Sequence, residues 1–437
     1  MTATPLPVVS GFDNLGIATN LLAMIREQNF VRPTPIQHQV IPVALTGKDV
    51  VGIAQTGTGK TLAFGIPMIQ RLAQIKGQGL VILPTRELAL QVDEVIRKIA
   101  GKLGVRSTVL IGGASMNQQN QSLGRHPHIV IATPGRLADH LKQKTFNLNQ
   151  IKVIVLDEAD RMLDIGFAPQ IKQIMSLAPK ERQTMLFSAT MPTAIAELAA
   201  RYMRLPLRIE VAPAGTPAER VEQEIFIVGK DVKMQLLESV LSGEEKTILI
   251  FSRTKHGAKK ITADLRAMGH TASEIHSNRS LAQRKAALDG FKKGFYRILV
   301  ATDIAARGID VSNISLVINY DLPDNLDDYI HRIGRTGRAG KSGKAISFVG
   351  PDQRHDVKQI ERMIKKTLPV IALPVLPPRR QFTHQAPEKN YHSFNRSSNP
   401  FARAPRAASS GFARPRGDKN NVVNGRFNYP KRRSAGR

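Results

Sequence analysis

Cysteine is absent from this 437-residue chain, which rules out disulfides and thiolate zinc sites and is compatible with a reducing compartment. No apolar run reaches the roughly eighteen residues that a membrane-spanning helix needs. The opening stretch MTATPLPVVSGFDN has no basic start followed by an apolar segment, so no secretory signal is expected and a cytoplasmic location is. Acidic residues are scarce: 35 Asp and Glu stand against 63 Lys and Arg, a formal net charge of +28. That imbalance exceeds what solubility needs and points to a polyanion, because neutralised phosphates release counterions and give affinity without base reading. A generically basic protein would show the same balance, so charge alone does not decide. What is plentiful is core material, with 42% hydrophobic residues spread over a length that suits two domains.

Short apolar runs alternate with amphipathic stretches up to about residue 208. The strand-like runs are Asp49–Ala54, Gly79–Leu83, His128–Ala132, Val153–Leu156 and Thr184–Phe187. Buried strands separated by helices predict a parallel sheet covered on both faces. Residues 209–220 (IEVAPAGTPAER) read as a linker. The alternation restarts at 221–367, with runs at Thr247–Phe251, Arg297–Ala301, Leu316–Asn319 and Lys344–Phe348. From 368 to 437 the composition turns to Pro, Asn, Ser, Gly and Arg. Three Lys and eleven Arg face only Glu388 and Asp418 there, a net of about +12 that predicts a disordered tail.

The run DVVGIA leads into Ala54–Thr61 (AQTGTGKT: Ala54, Gln55, Thr56, Gly57, Thr58, Gly59, Lys60, Thr61), ahead of a helical stretch. Glycines before a helix N-terminus let backbone N–H groups wrap a phosphate. Lys60 suits the β/γ-phosphates, and the Thr61 hydroxyl suits Mg²⁺. Ala54 stands where the usual pattern has its first glycine. About a hundred residues on, the run VIVL delivers Asp157-Glu158-Ala159-Asp160. Beside a phosphate loop, Asp157 is expected to hold the metal and Glu158 to act as general base. Alone, such a cluster would read as a solvated helix start.

These residues, with Ser188-Ala189-Thr190, Pro33–Gln37 (PTPIQ), Pro84–Leu88 (PTREL), Gly112-Gly113, Thr133–Arg136 (TPGR), Ala301–Asp310 (ATDIAARGID) and His331–Arg338 (HRIGRTGR), resemble the DEAD-box RNA helicases of superfamily 2 over about 12–367. The likeness is greatest to the bacterial RhlE-like branch, a compact core with a basic extension. It implies two tandem RecA-like P-loop domains of α/β class with parallel sheets, a disordered basic C-terminal tail, and ATP and Mg²⁺ as cofactors. Gln37 would read adenine and Phe12 would pack on its ring, unless Phe12 is an ordinary hydrophobic anchor. Asp310 would contact the ribose. His331, Arg335 and Arg338 would reach the γ-phosphate across the cleft, and Arg332 could serve a surface RNA patch instead. Asp160, Ser188, Thr190 and Asp303 would couple the two units. RNA contacts are implied for Pro84, Thr85, Arg86, Gly113, Thr133, Pro134 and Arg136, and in the second unit for Arg253 and Thr302.

The implied activity is RNA-stimulated ATP hydrolysis coupled to domain closure, with local, non-processive unwinding of short duplexes or remodelling of ribonucleoproteins. Ribosomal precursors and RNA-decay machinery are candidate partners, and no membrane is expected. Two rivals stay open: an ATP-dependent RNA clamp with negligible turnover, and a DNA-directed helicase. One segment departs from the family's HGxxxQxxR. It reads His276 to Arg284 as HSNRSLAQR, with Ser277 for glycine and Leu281 for glutamine. In the tail, arginines alternate with Phe394, Phe401, Phe412, Phe427 and Tyr429, which suits a sequence-tolerant RNA anchor.

Overall fold

The structure is a computed structural model that describes residues 11–55, 57–211, 221–243, 247–306, 314–337 and 343–380. The first lobe carries a seven-stranded sheet of β1 (Val50–Ile53), β2 (Gln78–Ile82), β3 (Ser107–Leu110), β4 (Ile129–Ala132), β5 (Ile151–Leu156), β6 (Gln183–Ser188) and β7 (Leu207–Glu210), in the order β3-β4-β2-β5-β6-β1-β7. Every pairing is parallel. Alternate residues feed two cores. Val81, Val153 and Val155 pack on one face of the sheet, and Leu80, Ile154 and Leu156 on the other. This two-sided burial is why the central strands read as unbroken apolar runs.

The second lobe has β8 (Val221–Ile227), β9 (Ile248–Phe251), β10 (Ala272–Ile275), β11 (Ile298–Ala301), β12 (Leu316–Asn319), β13 (Gly343–Val349) and β14 (Val370–Ile371), in the order β10-β11-β9-β12-β13-β8-β14. Adding seven to each strand number of the first sheet reproduces the second. The two lobes are therefore the same topology written twice, again with parallel pairings throughout.

That correspondence corrects two boundaries. The linker expected from 209 begins later, because β7 runs to Glu210 and pairs with β1. The tail expected from 368 also begins too early. β14 is the counterpart of β7: the Ile225 N–H donates to the Pro369 carbonyl at 2.9 Å, and Leu368 is buried. Beyond it the chain stays on the lobe, where Gln235 donates to the Pro377 carbonyl at 2.6 Å and Arg380 pairs with Glu238 at 2.6 Å. The arginines and aromatics of the tail from 381 onward lie outside the described residues. No helix among the described residues is long and apolar enough to cross a membrane.

In the middle of β1, Gly52 sits opposite Phe187, and an added Cβ would come within 2.7 Å of that buried ring. Phe187 is itself held against Phe64, with ring centroids 5.6 Å apart. Gly52→Ala is therefore expected to destabilise the first lobe by about 1–3 kcal/mol, the usual cost of overpacking. Urea denaturation checks this, and an unchanged midpoint would mean that Phe187 can move aside.

Candidate active site between two lobes

The strands end where the phosphate loop begins. Gly57 and Gly59 take φ of 83° and 89°, in the left-handed region that glycine enters at no steric cost. Gly59 also caps the helix Lys60–Gln74, and a Cβ there would lie 2.3 Å from the Gln37 amide nitrogen. Gln37 is committed to the scaffold: its amide accepts from the Thr34 N–H at 2.9 Å and donates to the Gly59 carbonyl at 2.9 Å. One N–H and one acceptor lone pair remain for a base. Phe12 is 2% exposed within the first core, as a hydrophobic anchor would be. The Thr58 hydroxyl donates to the Gln55 carbonyl at 2.7 Å, and the buried Lys60 ammonium donates to the Ala54 carbonyl at 3.0 Å. Gln55 and Thr61 are half-buried; Thr56 lies outside the described residues.

The acidic cluster follows β5. Asp157 is 3% exposed and accepts the Glu158 N–H at 2.9 Å. Burial pushes its carboxyl up to about 6, with Lys60 opposing and Glu158 adding to the rise. Glu158 adopts φ 51° and ψ 52°, a left-handed conformation that costs a non-glycine residue about 1 kcal/mol or more. One of its buried carboxylate oxygens has no hydrogen-bond partner; Arg161 approaches it only to 3.5 Å. Asp160 is the organiser. Its carboxylate accepts from the Ala189 N–H, the Thr190 N–H and the Thr190 hydroxyl at 3.0, 2.9 and 2.9 Å, and its own N–H donates to Ser188 Oγ at 3.2 Å. Burial alone would raise the Asp160 carboxyl, but the Arg161 N–H, the Lys60 charge and Thr190 outweigh it and hold the group below the ordinary carboxylate range.

The second lobe completes a cavity of about 410 Å³, where Lys60, Glu158, Asp160 and Arg161 face His331 and Asp328. His331 lies on the helix Leu326–Ile333. Burial, followed by the Arg161 and Arg335 charges, pulls its imidazole down from 6.5 to about 4, so it is neutral at ordinary pH. Arg335 is 4% exposed and donates to the His331 carbonyl at 3.2 Å.

A surface RNA role for Arg332 is overturned by its burial to 1% exposure. Its guanidinium grips both Asp303 oxygens at 2.6 and 2.7 Å, donates to Asn319 Oδ1 at 3.2 Å and lies 4.9 Å over the Phe251 ring. Asp303 thus fixes the helix that carries His331. Arg338 and Asp310 lie outside the described residues. Arg161 was missed from sequence, although its place one helical turn after Glu158 is the signal that could have found it.

The low imidazole pKa has a measurable consequence. The unfolded chain takes up a proton near pH 6.5 that folded His331 refuses until about 4, so this contribution is intact above 6.5 and lost as pH falls toward 4. His331→Gln, which cannot titrate, should escape a loss of about 2 kcal/mol between pH 7 and 5. Urea midpoints at the two pH values test this, and an identical pH dependence in both proteins would refute it.

A second concavity, of about 370 Å³, is lined by Pro84, Thr85, Arg86, Thr133 and Arg136 of the first lobe and by Ser277 and Arg284 of the second. Thr85 caps the helix Arg86–Ala100 by accepting the Leu88 N–H at 3.3 Å. Gly113 lets Arg86 approach, since a Cβ there would meet its guanidinium at 2.4 Å. Pro134 is the buried first residue of the helix Pro134–Lys142. Arg253 and Thr302 lie outside this lining: Arg253 is held by the Leu322 carbonyl at 3.3 Å and Asp324 at 3.2 Å, while Thr302 donates its N–H to Ile275 at 3.3 Å.

A family model described as DEAD/DEAH box helicase matches residues 34–198, and one described as helicase conserved C-terminal domain matches 232–340. The DEAD-box ATP-dependent RNA helicase CshA of Bacillus cereus is 42% identical over 368 residues, covering 84% of this chain and 70% of that protein. The chain belongs to the DEAD-box helicase family. Other relatives of this DEAD-box helicase include the ATP-dependent rRNA helicase RRP3 of Debaryomyces hansenii, 43% identical over 82% of this chain and 76% of the relative. Among solved structures, S. cerevisiae Dbp5 bound to RNA and ADP BeF3 superposes with a TM-score of 0.74 at 30% identity, over 83% of this chain and 95% of that one. Mss116p bound to ssRNA and AMP-PNP gives 0.76 at 29% identity, over 82% and 79%. Two parallel-sheet RecA-like lobes are thus common to this DEAD-box helicase and its structural neighbours.

Proposed function

We propose that this chain is an ATP-dependent RNA helicase whose RNA-stimulated ATP hydrolysis is completed by closure of its two lobes. The observation that carries the reading is the cavity in which Lys60 and Glu158 of one lobe meet His331 of the other, since neither lobe alone holds the whole set. Lys60 is assigned to the β/γ-phosphates, Glu158 to the proton of the attacking water, and Arg335 with Arg338 to the charge that develops on the transferred phosphoryl group. Gln37, through the amide capacity it has left, is assigned to adenine.

The site residues fit Mg²⁺. Asp157 is a buried, hard oxygen donor, and Thr61 at the helix start offers a second oxygen; one or two such ligands beside phosphate oxygens suit this ion. Bound there, Mg²⁺ would neutralise charge on the phosphates.

The groove of Pro84, Thr85, Arg86, Thr133 and Arg136 is assigned to the sugar–phosphate backbone, because hydroxyls, backbone groups and arginines at helix starts position a strand without reading its bases. ATP and single-stranded RNA, both contacting the closed arrangement, would each favour the other. A strand held between the lobes would be lost to a duplex, hence local rather than processive unwinding. The finer likeness to the RhlE-like branch rests on the compact core with its basic extension, and the cytoplasmic setting on kinship with bacterial RNA helicases.

Steady-state ATPase measured alone, with single-stranded RNA and with matched DNA tests the proposal. RNA-selective stimulation is expected. Equal stimulation by DNA would favour a DNA-directed helicase, and RNA binding without turnover under any condition would leave an ATP-dependent clamp.

A further inference from the structure

The family departure at Leu281 falls where the lobes meet. Leu281 opens the helix Leu281–Lys292, and its half-buried side chain packs on the first-lobe core, the one second-lobe hydrophobic side chain to do so among the described residues. Three residues on, Arg284 Nη2 lies 2.9 Å from Glu87 Oε2, with both side chains more than nine-tenths buried. Burial pushes the Glu87 carboxyl up and pulls the Arg284 guanidinium down, so each depends on the other to remain charged there. Farther along the same helix, the Lys292 and Lys285 charges add slightly to the hold that Lys98 of the first lobe has on the Glu94 carboxylate. Glu87 directly follows Arg86, and Arg284 lines the groove with Ser277, so this contact adjoins the concavity assigned to RNA.

The geometry points to a latch in which Leu281 is a positioning residue, adding an apolar contact to the Glu87–Arg284 pair and biasing the lobes toward closure before RNA arrives. An amide at this position would have to give up water as the lobes close, whereas a leucine gains from losing it and needs no particular orientation. A larger pre-closed fraction lowers the amount of RNA needed to hold the closed state. The inference rests on the helicase reading.

Because the chain has no cysteine, Lys142→Cys and Lys358→Cys, on exposed helix positions of the two lobes, can carry a fluorescent donor and acceptor. Closure is then followed while single-stranded RNA is titrated in the presence of AMP-PNP. Leu281→Gln is expected to raise the RNA concentration for half-closure by about three- to tenfold. Its unstimulated ATPase should fall with the pre-closed fraction, while its turnover at saturating RNA and its melting midpoint should match the parent. Leu281→Ala should shift closure in the same direction without adding a polar group, and Leu281→Met should restore it. If Leu281→Gln or Leu281→Ala closes at the parent's RNA concentration, the latch is overturned. A parent protein that closes with no combination of nucleotide and RNA would instead sink the helicase reading.

Discussion

Glu158→Gln is expected to slow RNA-stimulated ATP turnover by about 10²–10⁴-fold while nucleotide and RNA still bind. The expectation comes from how this carboxylate is kept. It is buried, it sits in a strained left-handed conformation, and one oxygen is left without a hydrogen bond beside the cavity. A purely structural glutamate would be satisfied by its neighbours, as Asp160 is by Ala189 and Thr190. Glutamine preserves the volume and removes the base. Turnover together with equilibrium binding of AMP-PNP and RNA separates the two roles. A variant that turns over within tenfold of the parent would show that the base lies elsewhere.

The second large effect is expected at Arg335. Truncation to alanine should reduce turnover by about 10³–10⁵-fold, the range for an arginine that stabilises charge on a transferred phosphoryl group. Arg335 follows the helix Leu326–Ile333, is buried, and is fixed through the His331 carbonyl. Because Arg332 anchors that helix through Asp303, Arg335 is presented by a rigid element and not by a free loop. Arg335→Lys should recover little, since a single ammonium cannot reproduce the planar fork. Combined with Glu158→Gln, the losses should be far from additive, because both residues serve one transition state. Full additivity of the two losses would argue that Arg335 acts in binding instead.

The central strands and the phosphate loop were legible because their residues do one job each. β1, β4, β5 and β9 are buried on both faces and read as continuous apolar runs. The strands that escaped are β3, β7, β8, β10 and β14. Four of them are sheet edges, where one side lacks a partner strand and the sequence turns polar or short. β8 escaped for another reason: in VEQEIFI, Glu222 is exposed and Glu224 pairs with Lys344 at 2.8 Å, which breaks up the apolar signal. The tail boundary was misread because the prolines around 369–378 look like a linker, yet the Pro369 carbonyl serves a strand pairing. In the site, Lys60, Glu158, Asp160 and His331, named from the phosphate-loop pattern and the family resemblance, line one cavity. Arg161 was passed over despite its local spacing from Glu158, and the pairings of Arg332 with Asp303 and of Glu87 with Arg284 were not foreseen, since they join residues distant in sequence.

The seven-step repeat of strand order has a consequence for how the chain is made. In each lobe an early strand sits next to the sheet edge, and the strand that covers it is the last one synthesised: β1 waits for β7, and β8 waits for β14. On a growing polypeptide, β8 is exposed on both sides until the chain reaches Gly343–Val349 and then Val370–Ile371. The glutamates that hid β8 from a sequence reading are the residues best suited to keep such a waiting strand from pairing with another nascent chain.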